Sequence, residues 1–193
     1  MIIKLLAMSI NLIIGCMFSG KTSYLISIAK KYKLKNKKVL LINYIRDTRY
    51  SNSDKITSHD NVSIDCVPSE KNIMKLIEKE NFTSSDVICI NEGQFFDNLV
   101  EFCTKACDSG KEVYVCGLDG DYLKRPFGEI IYLVPHCETV KKMYAICLGC
   151  TEVTKASFTR RIAGGDDVEE IGEKEKYIPL CRRCYQAMDK KST

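Results

Sequence analysis

Three sets of residues in this chain have the types and spacing to do chemistry. The first is Gly15-Cys16-Met17-Phe18-Ser19-Gly20-Lys21-Thr22, which fits G-x-x-x-x-G-K-[ST]. Its glycines let backbone N–H groups turn inward and wrap phosphate oxygens. A helix opening at Lys21 would add its partial positive charge. Lys21 then reaches the β/γ-phosphates, and the Thr22 hydroxyl can ligate Mg²⁺. The pattern is read as a nucleoside-triphosphate site with Mg²⁺ rather than a glycine turn with an incidental lysine, because it follows an apolar run and opens a helical one.

The second set is Asn91-Glu92-Gly93-Gln94, directly after the apolar run Val87-Ile88-Cys89-Ile90. Strands of an open α/β sheet present their C-terminal ends to the ligand crevice, so Glu92 is expected near the γ-phosphate. A glutamate there could take a proton from an attacking hydroxyl or water. Capping of the following helix is the structural alternative. Asn91 stands where an Asp would normally hold the Mg²⁺ shell. Its amide oxygen accepts hydrogen bonds but carries no charge, and Asp60 is the foremost candidate to compensate. Gln94 is grouped with Asn91 among the residues around the phosphates.

The third set is Cys147-Leu-Gly-Cys150 and Cys181-Arg-Arg-Cys184, which together supply four thiolates for tetrahedral Zn²⁺. Thirty residues separate the pairs, enough for a loop with its own task. A thioredoxin-like redox motif is the weaker reading, since neither pair is expected to open a helix after a strand.

These residues need elements to position them. Strands are expected at Ser9–Ile14, Val39–Ile42, Val62–Val67, Val87–Ile90 and Val113–Cys116. Helices are expected at Lys21–Lys35, Glu70–Glu80 and Asn98–Ser109, the last closed by Gly110, with a long loop over Asn43–Asp60. Strands alternating with helices specify an α/β fold, a mainly parallel sheet with helices on both faces. The alternation stops near Val140. Residues 1–141 therefore read as the nucleotide-binding domain, and 142–193 as a small zinc-binding lobe.

Composition sets the outer limits. The chain has 193 residues, 45% hydrophobic and 28% charged, which excludes disorder, collagen and coiled coil as whole-chain descriptions. A formal charge of +4 is too mild to indicate a nucleic-acid binder. The lysines between Lys30 and Lys38 read as a solvated helix end. No run approaches 18 apolar residues, so no membrane span is expected. Met1–Ile14 leads into the glycine loop without a leader cleavage site. Eleven cysteines with no secretory leader point to a reducing compartment, the cytoplasm. Seven of them (Cys16, Cys66, Cys89, Cys103, Cys107, Cys116 and Cys137) lack ligand spacing and read as thiols. Cys16, at a helix N-terminus, is the one expected to be reactive.

The segments GCMFSGKT, RDTRYSNS, SHD, INEGQFFDNLVEFC, GLDGDYLKRPFG, LVPHCETVKKMYAICLGC and KYIPLCRRCY, in this order from about Ile10 to Tyr185, closely resemble the type II thymidine kinases, the cytosolic and viral class. The resemblance implies a P-loop (RecA-like) domain and a zinc lobe carrying a lasso loop. It implies ATP- and Mg²⁺-dependent transfer of phosphate to the 5′-hydroxyl of thymidine, with Glu92 as general base. Gly15 to Thr22 match the phosphate loop, and Asp60 matches a residue near metal and phosphates. Met17, Phe95, Leu118, Tyr122 and Phe127 match the nucleoside pocket. Val168, Glu169, Glu170, Ile171 and Gly172 match the lasso that reads the thymine through its backbone, and Tyr177 matches the tyrosine that closes over the base. A homotetramer inhibited by dTTP is also implied, with no nucleic-acid or membrane partner. Arg160 or Arg161 is expected to assist at the phosphates. Three positions depart from the pattern: Asn91 for Asp, Tyr122 where Phe is common, and Asn61 where some members carry Arg. The competing reading is a P-loop ATPase or switch whose zinc lobe binds nucleic acid. It draws on the 11 basic and 8 acidic residues from Lys141 to Thr193 and on the missing Asp at position 91.

Overall fold

A computed structural model describes residues 8–45, 54–57, 62–163 and 175–189. Strand β1 (Ser9–Gly15) leads through the glycine loop into helix α1 (Lys21–Leu34), and β2 (Val39–Tyr44) follows. Two short strands, β3 (Lys55–Thr57) and β4 (Ser63–Asp65), pair antiparallel, and β5 (Val67–Ser69) comes next. A one-turn helix α2 (Glu80–Thr83) precedes β6 (Val87–Ile90). Helix α3 (Leu99–Asp108), β7 (Glu112–Gly117) and β8 (Thr139–Met143) complete the main body. Six of these strands form one all-parallel sheet in the order β5-β2-β6-β7-β1-β8. The phosphate-loop strand β1 and the carboxylate strand β6 are thus separated by β7. The parallel sheet is the one expected; its strand order was not anticipated.

The strict period of two along a strand sorts the core into two layers. Ile10, Leu12, Ile14, Leu40, Ile42, Ile88, Ile90, Val113 and Val115 point to the face covered by α3. Ile13, Leu41, Val87, Cys89 and Cys116 point to the face covered by α1. Helix α3 brings Leu99, Phe102, Cys103 and Ala106 to the first layer; α1 brings Leu25, Ile26, Ile28 and Ala29 to the second. Gly110 takes the left-handed conformation (φ 86°) just past α3, as expected.

Several elements differ from expectation. In place of a helix over Glu70–Glu80 there is a 3-10 turn, Ile73–Leu76, and then α2. Ile73 and Leu76, three apart, bury together in one tight turn, and Lys79 is extended (φ −82°, ψ 145°), which breaks any continuation. The strand expected over Val62–Val67 is split between β4 and β5, and β3 lies inside the region expected to be loop. The sixth strand, β8, reads Thr-Val-Lys-Lys-Met and was not anticipated. It is a largely exposed edge strand, so it needs no apolar run. It extends to Met143, past residue 141. Among the described residues no helix is long and apolar enough to cross a membrane.

The C-terminal part contains two hairpins, β9 (Ala145–Ile146) with β10 (Lys155–Ala156) and β11 (Phe158–Arg161) with β12 (Tyr177–Leu180), and helix α4 (Arg182–Asp189).

Candidate active site

The phosphate loop begins where β1 meets β8. A Cβ on Gly15 would lie 2.3 Å from the Met143 carbonyl oxygen, so only glycine permits this approach. Gly20 caps α1 in the left-handed region (φ 80°) and turns the chain into the helix. Lys21 is buried, with Nζ donating to the Cys16 carbonyl at 2.7 Å. Ser19 Oγ donates to the same carbonyl at 2.8 Å. The ammonium is therefore held over the loop by the loop's own oxygens.

Glu92 follows β6 in the left-handed region (φ 54°, ψ 45°), an uncommon conformation for a residue with a Cβ. Its carboxylate accepts a hydrogen bond from Gln94 Nε2 at 2.7 Å, while Gln94 Oε1 accepts from the Leu118 N–H at 2.9 Å. Gln94 thus bridges the carboxylate and the strand-end segment after β7. It has no slack: a Cβ at Gly117 would stand 2.3 Å from Gln94 Oε1, and one at Gly128 (φ 58°) 2.0 Å from the Gln94 carbonyl oxygen. Gly128→Ala should destabilise the protein by about 1–3 kcal/mol, seen as a lowered thermal midpoint together with reduced kcat.

Asn91 is 2% exposed. Its Oδ1 accepts from Thr22 Oγ1 at 3.3 Å and from the Cys116 thiol at 3.1 Å, and its Nδ2 donates to Asn43 Oδ1 at 2.9 Å. Asn91 thus sits beside Thr22 in the first turn of α1.

On the other side of Gln94, Phe95 stacks on Tyr44 (centroids 5.0 Å) and meets Phe127 edge-on (5.4 Å). Leu118, Tyr122 and Met17 are half-buried, and Tyr177 is buried. The Met17 N–H donates to Thr159 Oγ1 at 3.0 Å, which ties the phosphate loop to β11. Two residues on, Arg161 lies over the Tyr122 ring (3.9 Å to the centroid) and donates to the Tyr177 hydroxyl at 2.9 Å. Arg160 sits over Tyr185. Both arginines expected at the phosphates thus contact aromatic rings of the pocket and lobe. Asp60, Asn61 and Val168 to Gly172 lie outside the described residues. Tyr44, Asn43 and Thr159 were not anticipated from the sequence. Tyr44 and Asn43 close an apolar strand, and their position at its C-terminal end was the available signal.

The four sulfurs of Cys147, Cys150, Cys181 and Cys184 all lie within 4.8 Å of one another. Zn–S bonds of ~2.3 Å in a tetrahedron place sulfurs ~3.8 Å apart. Cys150 Sγ is 3.7 Å from Cys181 Sγ and 3.5 Å from Cys184 Sγ, so the donors fit such an ion. A Cβ at Gly149 would lie 2.9 Å from Cys184 Cβ, so the first pair needs its glycine to let the second approach. The second pair does open a helix after a strand, contrary to expectation, with Cys181 after β12 and Cys184 in α4. The convergence of all four thiols sets it apart from a redox pair.

All eleven cysteines are free. Cys16 is the one whose expected chemistry changes. It is 2% exposed, its Sγ donates to the Ala156 carbonyl at 3.2 Å, and burial pushes its thiol pKa up. Desolvation outweighs the helix N-terminus here, and the thiol is a packing group between phosphate loop and lobe. Cys103 is buried, and Cys107 and Cys137 are partly buried against the α3 layer, as expected of packing thiols.

A family model described as thymidine kinase matches residues 8–185. The thymidine kinase of Myxoma virus (strain Uriarra) is 40% identical over 177 residues, covering 91% of this chain and 95% of the relative. Thymidine kinase 1 of Dictyostelium discoideum is 41% identical over 190 residues, covering 97% and 82%. The cytosolic thymidine kinase of Homo sapiens is 39% identical over 176 residues, covering 91% and 72%.

Proposed function

This chain belongs to the thymidine kinase family, and from that premise we propose that it transfers the γ-phosphoryl group of ATP, with Mg²⁺, to the 5′-hydroxyl of thymidine, in salvage synthesis of DNA precursors. The observation that carries this reading is the Glu92 carboxylate at the C-terminal end of β6, held by Gln94, whose other end is held by the Leu118 N–H. A carboxylate there takes the proton of the 5′-hydroxyl as the oxygen attacks phosphorus. Lys21 and the loop amides offset the charge of the triphosphate. The Thr22 hydroxyl would offer its oxygen to Mg²⁺, with Asn91 Oδ1 accepting the hydrogen of that hydroxyl. When bound, the ion would neutralise phosphate charge.

Phe95, Phe127, Leu118, Tyr122, Met17 and Tyr177 form the apolar walls around the thymine, and Val168 to Gly172 read its edge through their backbone. Cys147, Cys150, Cys181 and Cys184 would hold Zn²⁺ and so tie down both ends of that segment. The division at residues 141 and 142, Asp60 near the phosphates, a homotetramer, inhibition by dTTP and a cytoplasmic setting belong to the same reading. The competing ATPase with a nucleic-acid-binding lobe gains nothing from the geometry, since Arg160 and Arg161 are engaged with aromatic rings.

A panel of deoxynucleosides with ATP and Mg²⁺, read as kcat/KM, tests the proposal. Thymidine should dominate the panel. ATP hydrolysis without nucleoside phosphorylation would overturn the reading.

A further inference from the structure

Strands β2 and β6 are adjacent and parallel, with Ile42 opposite Ile90, so the next residues, Asn43 and Asn91, fall side by side on the face covered by α1. Strand β7 places Cys116 next in the row, one position beyond the Ile90–Val115 pair. All three side chains are buried: Asn43 at 4% exposure, Asn91 at 2% and Cys116 at 1%. A carboxamide has one accepting end and one donating end, and in a dry row each must meet its complement. Asn91 Nδ2 meets Asn43 Oδ1 at 2.9 Å. Asn91 Oδ1 meets two hydroxyl- or thiol-borne hydrogens, from Thr22 at 3.3 Å and Cys116 at 3.1 Å. The Cys116 thiol, enclosed beside the amide, serves as a donor.

We propose that Asn43 is a positioning residue: by accepting from Asn91 Nδ2 it turns the Asn91 oxygen toward Thr22 and so directs the Thr22 lone pairs outward to a cation. A threonine hydroxyl has one hydrogen and two acceptor lone pairs. With its hydrogen spent on Asn91, both lone pairs are left for the phosphate side. The reverse orientation would aim the Asn91 N–H at Thr22, occupy a lone pair and set partial positive charge beside the ion. The pairing also accounts for an Asn at the position where the family resemblance implies an Asp. A buried carboxylate must offset its desolvation with charge, whereas a neutral amide is satisfied by hydrogen bonds alone.

The inference rests on the proposed role of Thr22 toward Mg²⁺. It is tested by calorimetric titration of ADP, with and without Mg²⁺, into wild-type protein and into Asn43→Leu and Asn43→Asp. Leu fills a similar space but cannot accept; Asp can only accept. Mg²⁺ should tighten ADP binding to the wild type and to Asn43→Asp. In Asn43→Leu that enhancement should fall by about fivefold or more, with metal-free ADP affinity unchanged. If Asn43→Leu does not fold, Asn43→Ser, too short to reach Asn91, replaces it with the same expectation. Equal enhancement in wild type and the Leu or Ser variant overturns the role of Asn43 and leaves the function intact. A wild type whose ADP binding ignores Mg²⁺ overturns the magnesium reading itself.

Discussion

Glu92→Gln should lower kcat by about 10²–10⁴ while leaving ATP and thymidine binding nearly unchanged. The substitution changes little but basicity. Glutamine has the same length, and its carbonyl oxygen can still accept from Gln94 Nε2, the 2.7 Å contact that orients the native carboxylate. Gln94 in turn stays fixed by the Leu118 N–H, so the strand-end segment and the aromatic wall around Phe95 keep their places. What is lost is the group proposed to take the 5′-hydroxyl proton. The measurement is single-turnover phosphorylation of thymidine beside equilibrium binding of both substrates. An unchanged kcat would show that Glu92 is not the base.

The second large effect concerns the four cysteines. Removing the metal with a strong chelator, or breaking the site with Cys181→Ser, should unfold the C-terminal lobe while the parallel sheet persists. The lobe's buried cluster is small: Ala145, Ala156, Leu180 and Tyr185 beside the thiols of Cys147 and Cys181, with Cys16 lent by the phosphate loop. Structural zinc sites contribute ~10–16 kcal/mol of binding energy that becomes folding energy, ample for a lobe with so little core. Hydrogen exchange should show lost protection over residues 145–163 and 175–189 and retained protection in β1, β6 and β7. Thymidine KM should rise steeply, because Tyr177 and Arg161 sit on the lost hairpin. ATP affinity should weaken too, because the Met17–Thr159 and Cys16–Ala156 bonds join lobe and phosphate loop. Freshly purified protein with no zinc and a fully protected lobe would refute this.

Much of the site was legible from residue order. The phosphate loop acts through bonds spanning eight consecutive residues, so its chemistry is local and a sequence pattern captures it. The placement of Glu92 followed from a general property of parallel sheets, and the two Cys pairs from the coordination number of one ion. The core strands β1, β6 and β7 were legible because strands buried within the sheet carry apolar runs, as in Leu12–Ile14 and Val87–Ile90. Strand β8 was not, because an edge strand can be Thr-Val-Lys-Lys-Met and still pair through its backbone. The short turn at Ile73–Leu76 shows the same limit from the other side: spacing of three and four suits both one tight turn and a longer helix.

What the sequence by itself determined is the inventory: a triphosphate loop, one carboxylate at a strand end and four thiols for a metal. Tertiary structure decided how each group behaves. Cys16 becomes an inert packing thiol because Ala156, 140 positions away, takes its hydrogen bond in a dry contact. Asn91 has a defined orientation because Asn43 lies 48 residues earlier on the neighbouring strand. Glu92 is aimed by Gln94 only because Leu118 holds the far end of that side chain. Desolvation and hydrogen-bond partners are set by residues brought together in folding, and no local spacing encodes them.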